Sequence, residues 1–115
     1  MRNMSFFNTL GQFLAGMKTV TFRLGWDDLY PGDRIMAIAK GQGIKKGEKV
    51  QRLGEIEIIA VRLIQVYEIS DADIILDGFG GMPKSEWIKW FCRQMGCHEG
   101  RWVSRIEFRR INSER

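Results

Sequence analysis

Residues 16–24 read Gly16-Met17-Lys18-Thr19-Val20-Thr21-Phe22-Arg23-Leu24, and from Lys18 onward polar and apolar side chains alternate. A period of two marks a half-buried strand, because successive side chains point to opposite faces of the pleated chain. Val20, Phe22 and Leu24 then belong to the core, and Thr19, Thr21 and Arg23 turn toward solvent or a cleft. Upstream, Ser5 is placed to cap a helix of about three turns in which Phe6, Phe7, Leu10, Phe13 and Leu14 recur at helical spacing, and Gly16 is placed to end it.

Downstream, Tyr30-Pro31-Gly32-Asp33 has turn chemistry and leads into a second strand, Arg34 to Ala39. Lys40 to Lys49 holds three glycines and four lysines around the lone apolar Ile44, and reads as a flexible basic loop. Leu53 to Ile69 is rich in β-branched residues and reads as one long strand or two with a bend. Ser70 with Asp73 makes a capping-box-like start to a short helix through Leu76. Pro83 suits the first turn of another helix, which runs to about Met95 with Trp87, Ile88 and Phe91 on one face and Gly96 beyond its end. Trp102 to Ile111 closes the chain as a strand, Trp102, Ile106 and Phe108 facing one way and Arg105, Glu107 and Arg109 the other. The order is α+β. About five short strands with two to three flanking helices favour a small, curled or closed β-barrel over a flat sheet, since closure hides strand edges.

With 115 residues, 44% of them hydrophobic, the chain suits a single domain, 1–115, whose core runs over about 6–111. No apolar run approaches the roughly 20 residues of a membrane-spanning helix, and Met1 to Phe7 lacks the pattern of a signal peptide, so cytoplasmic residence and no membrane partner are the defaults. Cys92 and Cys97, even with His98, fall short of a four-ligand zinc set and read as two thiols near a helix end; neither metal nor cofactor is expected. Eighteen Lys and Arg against 14 Asp and Glu give a net charge of +4, compatible with a polyanionic partner without demanding one. Lys40, Lys45, Lys46, Lys49 and Arg52 crowd one segment, and Arg101, Arg105, Arg109, Arg110 and Arg115 another. Brought together they make a basic rim; kept apart they are a solvated loop and tail.

Gly16, Lys18, Thr19, Thr21 and Arg23, followed by Pro31-Gly32-Asp33, Asp77-Gly78-Phe79, a Trp- and Phe-bearing helix and the Ile106-Glu107-Phe108 strand, resemble in order and spacing the ASCH domain of the PUA-like superfamily. The resemblance covers roughly Phe6 to Ile111 and is carried by several linked short signatures. It implies a PUA-like barrel with a cleft beside the first strand, lined by the Lys-Thr-x-Thr-x-Arg stretch, closed by the acidic-Gly-Phe segment, and used to bind or act on RNA. In layout the chain is similar to small bacterial acetylcytidine amidohydrolases, whose catalytic set is a lysine, the second threonine and a downstream glutamate. Carried over by position, Lys18 is the general base, Thr21 the nucleophile and Asp77 the nearest acid. Asp77 departs from the family's glutamate by one methylene and lies in a Gly-rich loop of different length.

Apart from any family, Lys18 and Thr21 are three apart and face opposite ways on a flat strand. A bulge, or a Lys18 that belongs to the turn after Gly16, brings them to one side. A threonine hydroxyl needs a base nearby, and a lysine serves as one only when desolvation or a neighbouring cation, here Arg23, lowers its pKa. For binding, Arg23 suits a phosphate or a base edge, Asp77 an exocyclic amine, and Trp26 either a base face or the core; Trp87 and Trp90 read as packing of their helix on the barrel. Thr19, Lys40, Lys45, Lys46 and Arg105 complete the candidate binding set. Three functions follow: an RNA- or modified-nucleoside-binding module, an amidohydrolase that deacylates acetylcytidine, or a protein-interaction module.

Overall fold

A computed structural model of the chain describes residues 1–41 and 46–111. Five strands form one mixed sheet: β1 (Asn3–Ser5), β2 (Val20–Arg23), β3 (Arg34–Ile38), β4 (Arg52–Gln65) and β5 (Trp102–Arg110), in the order β1-β3-β4-β5-β2. Only β1 and β3 run parallel; the other pairs are antiparallel. The helices are α1 (Leu10–Leu14), α2 (Asp71–Leu76) and α3 (Lys84–Met95), with 3-10 turns at Phe7–Thr9 and Val66–Glu68. This is the α+β class with five strands that the sequence implies.

Curvature comes from β4, which pairs with both β3 and β5. Its ladder slips where Ile58 opposes Phe108 and Ala60 opposes Glu107, leaving Ile59 as an extra residue, and again where Gly54 opposes Ala37 and Arg52 opposes Ile38. Each bulge bends and twists the strand. The curl brings the edges β1 and β2 toward each other; among the described residues no backbone ladder joins them, and the side chain of Arg23 bridges them by donating to the Ser5 carbonyl at 2.6 Å.

Each face of the sheet covers its own core. Inside the curl, Ile35, Ile56, Ile106 and Phe108 surround Met4, Phe6 and Phe13. On the other face Val20, Phe22, Ile64 and Val103 pack under α2 and α3 through Ile74, Trp87 and Phe91. Val20 and Phe22 are therefore core residues, as their alternation implies, and Thr21 and Arg23 point into the curl.

Several expectations are corrected. Ser5 does not cap a helix: it ends β1, opposite Ile38, and the first α-helix starts only at Leu10. Met4 and Phe6, two apart, both sink into the inner core, which an extended segment allows and a helix does not. The long strand stops at Gln65 rather than Ile69, because the 3-10 turn that follows buries Val66 and Ile69 against the helices. Trp102 does not join Ile106 and Phe108 in the core; it lies opposite Gln65 at the end of β5 and is 55% exposed. Other readings stand, Ser70 Oγ accepting from the Asp73 N–H at 3.1 Å and Gly96 ending α3 at φ 64°, while Pro83 sits one place earlier than the first helical turn, as the extended residue that precedes Lys84.

Phe6, Phe13 and Phe108 form one ring cluster with centroids 4.4 to 6.0 Å apart. Phe108→Ala opens a cavity in that cluster and is expected to cost about 3–5 kcal/mol, read as a lower urea midpoint at unchanged slope.

Candidate functional site

The segment before β2 settles how Lys18 and Thr21 share a side. The ladder begins at Val20, so Lys18 still belongs to the turn after Gly16 and its long side chain is not bound to the strand's alternation. Its ammonium donates to the Asp77 carbonyl at 2.9 Å and is ion-paired with the Asp77 carboxylate. Asp77 caps the C-terminal end of α2, where carbonyls lack helical partners. Lys18 takes one of them, and the Thr19 N–H takes another, Leu76 O, at 2.9 Å. The second carboxylate oxygen of Asp77 accepts from Trp87 Nε1 at 3.2 Å, tying the pair to α3.

Both partners are buried, Lys18 4% and Asp77 4% exposed. Burial pushes the lysine below its ordinary value and the aspartate above its own; their mutual attraction opposes both shifts, and Arg23 adds a small further push downward on Lys18. Gly78, next in the chain, has φ +100°, and a Cβ there would stand 2.9 Å from Gln12 Cβ. Only glycine lets the turn that carries Asp77 press this closely on α1.

Lys18, Thr21, Arg23 and Asp77 all line one cavity of about 710 Å³, as does Lys40 at its margin. Arg23 Nε donates to Thr21 Oγ1 at 3.1 Å, and its guanidinium carbon stands 5.0 Å from the Phe6 ring centroid. Among the described residues no carboxylate is in contact with the guanidinium, and desolvation lowers it to about 10 against the pull of Asp77. Phe7, Phe79 and Trp90 supply aromatic walls; Phe7 is 62% exposed, and Phe79 and Trp90 stack obliquely at 4.7 Å.

The remaining candidates lie elsewhere. Thr19 is exposed outside the cavity lining, its backbone spent on Leu76 and Phe108. Trp26 packs against the inner core with Arg2 over its ring at 4.2 Å, outside the cavity lining. Arg105 faces α2, not the cavity, and holds Asp73 with two hydrogen bonds of 2.9 and 3.0 Å. Lys46 is exposed away from the lining, and Lys45 lies outside the described residues. The arginines of β5 build no rim: Arg109 pairs with Glu57, and Arg110 donates to the Phe13 and Leu14 carbonyls. Trp87 and Trp90 both pack their helix as read, and Trp90 also borders the cavity. Its position one turn-fraction off the buried face, beside Trp87 and Phe91, was the available signal.

Cys92 and Cys97 carry free thiols. No helix among the described residues is long and apolar enough to cross a membrane.

No protein-family model and no curated protein matches the chain. Solved structures do. An ASCH domain from Lactobacillus crispatus superposes with a TM-score of 0.62 at 15% identity, over 95% of this chain and 79% of that one. The chain has the fold of an ASCH domain. The hypothetical protein PH0355 matches with a TM-score of 0.69 at 18% identity, over 96% of this chain and 100% of that one. A DUF984 protein from Enterococcus faecalis matches with a TM-score of 0.61 at 15% identity over 89% of this chain, which spans 66% of that protein's length. At these identities the likeness is one of fold.

Gly78→Ala tests the close approach beside Asp77. The positive φ and the contact with Gln12 predict a loss of about 1–3 kcal/mol, measured by urea unfolding; unchanged stability contradicts it.

Proposed function

We propose that the protein binds RNA or a modified nucleoside, with the cavity beside β2 as its base pocket. The observation that carries this reading is the convergence of Lys18, Thr21, Arg23 and Asp77 in one aromatic-walled cavity. The size suits a nucleoside, since small-ligand pockets run to several hundred Å³. Phe7 and Trp90 offer π-faces for a base, and single-stranded RNA is read by stacking combined with hydrogen bonds to base edges. The donors are Arg23, Lys40 and the Thr21 hydroxyl, while the Asp77 carboxylate is already engaged by Lys18 and Trp87. Residence in the cytoplasm, where RNA and its modified nucleosides occur, fits this reading.

The amidohydrolase reading has one observation in its favour: burial lowers the pKa of a lysine that shares the cavity with Thr21. In that chemistry neutral Lys18 takes the Thr21 hydroxyl proton as Thr21 Oγ1 bonds to the acyl carbon, the lysine returns that proton to the exocyclic nitrogen of cytosine as the carbon–nitrogen bond breaks, and water, giving a proton to Lys18 that passes on to Thr21 Oγ1, hydrolyses the ester to the free acid and the threonine. Asp77 stands as the acid of the set. Against it, the ammonium is turned to Asp77 and the threonine oxygen accepts from Arg23, so the two must exchange partners before a proton moves.

Binding is tested by titrating short single-stranded RNA and following tryptophan fluorescence. Affinity is expected to fall with added salt, and Trp90→Ala to weaken it by about 1–3 kcal/mol; RNA and nucleosides that leave the fluorescence and heat signals unchanged would refute the reading. Hydrolysis is tested by acetate release from acetylcytidine. It predicts loss of turnover in both Lys18→Ala and Thr21→Ala and a rate that rises with pH as Lys18 loses its proton, with a midpoint below the ordinary 10.5. Turnover retained in both variants removes this site from the chemistry.

A further inference from the structure

From the charges in the cavity we infer that its ligand is anionic where it meets Arg23: a phosphate sits on that guanidinium, and a nucleotide is bound in preference to the neutral nucleoside. This rests on the reading of the cavity as a nucleoside pocket and adds what that reading leaves open, the charge of the ligand.

Among the described residues three cations, Lys18, Arg23 and Lys40, line the cavity with a single carboxylate, Asp77. Asp77 is claimed in direct contact by Lys18, so those two charges cancel locally. Arg23 is left with neutral partners, Thr21 Oγ1 at 3.1 Å and Ser5 O at 2.6 Å. Arg2, Arg34, Arg105 and Arg109 each meet a carboxylate, although Arg2, Arg34 and Arg109 are largely exposed, while the exposed Arg110 meets carbonyls. Arg23 is thus a part-buried guanidinium that, among the described residues, has no contacting counter-charge. Desolvation lowers its pKa only to about 10, so it remains charged at neutral pH.

A cation taken out of water without a counterion is unfavourable, and a ligand that supplies the opposite charge gains what the apo site lacks. Two of the five guanidinium N–H groups are used by Thr21 and Ser5. Those bonds fix the plane of the fork before any ligand arrives, which lowers the ordering cost of binding. The remaining N–H groups suit the paired oxygens of a phosphate better than the single carbonyl oxygen of a base. Lys40 at the margin adds a second positive charge that the same phosphate senses.

Calorimetric titration with cytidine and with cytidine 5′-monophosphate tests this on the intact chain. The monophosphate is expected to bind about tenfold tighter or more, the scale of one hydrogen bond to a charged group. Arg23→Gln, which keeps an amide donor, is expected to erase the preference, and Lys40→Gln to retain most of it. Should Arg23→Gln fail to fold, inorganic phosphate is added to the unaltered protein: it is expected to compete with the monophosphate and not with cytidine. Equal affinity for the two ligands overturns the inference, as does a preference that vanishes with Lys40 and survives without Arg23. If neither ligand binds, the nucleoside reading fails. Phosphate that still raises the melting temperature of the unaltered protein, and not that of Arg23→Gln, then upholds the anion seat alone; no rise overturns both.

Discussion

The ion pair of Lys18 with Asp77 holds together the walls of the cavity proposed here as the ligand site. It joins the turn before β2 to the end of α2, and through Trp87 it reaches α3. Two charges in a nearly dry site attract strongly, yet each has lost its water, so the pair is worth little relative to an apolar replacement and much relative to a broken half. Truncating one partner alone leaves a buried charge uncompensated, which typically costs about 3–5 kcal/mol. That asymmetry makes the pair a constraint on geometry more than a source of stability: the floor of the cavity cannot shift without separating it.

Around this pair the positive charge of the chain is distributed unevenly. The net charge of +4 suggests a broad basic surface, but the arginines of β5 are engaged within the fold, Arg105 with Asp73, Arg109 with Glu57 and Arg110 with the carbonyls ending α1. Each meets a local partner of a small sheet covered on both faces: an acid in the first turn of α2, a cross-strand glutamate, and carbonyls at the end of α1. In the cavity, Arg23 meets the neutral oxygens of Thr21 and Ser5 among the described residues. The binding proposed here then depends on that guanidinium and the aromatic walls beside it.

Much of this was legible in the sequence where the signal is local. The alternation from Lys18 to Leu24, the cap at Ser70, the proline that precedes α3 and the glycine that ends it are set by neighbours in the chain, and the structure has them. That Lys18, Thr21, Arg23 and Asp77 gather round one cavity was legible because the strand's polar face and the turn after α2 carry recognisable residue types. What escaped depends on distant partners. Three residues of β1 have no period to read, and they form a strand only because β3 offers its edge. Trp26 and Arg105 look like ligand-binding residues until Arg2 and Asp73, far away in sequence, engage them. Phe7 and Trp90 look like core until the curl of the sheet leaves them beside a cavity.

The central claim is that the polar side chains of β2 and the Asp77 turn form one ligand site. Amide and side-chain chemical shifts of labelled protein, followed during titration with cytidine 5′-monophosphate, test it most directly. The account predicts changes centred on Lys18, Thr21, Arg23, Phe79 and the Trp90 indole, with Trp26 and Arg105 still. Changes centred instead on Trp26, Trp102 or the outer arginines of β5, with the residues of the cavity unmoved, would contradict it.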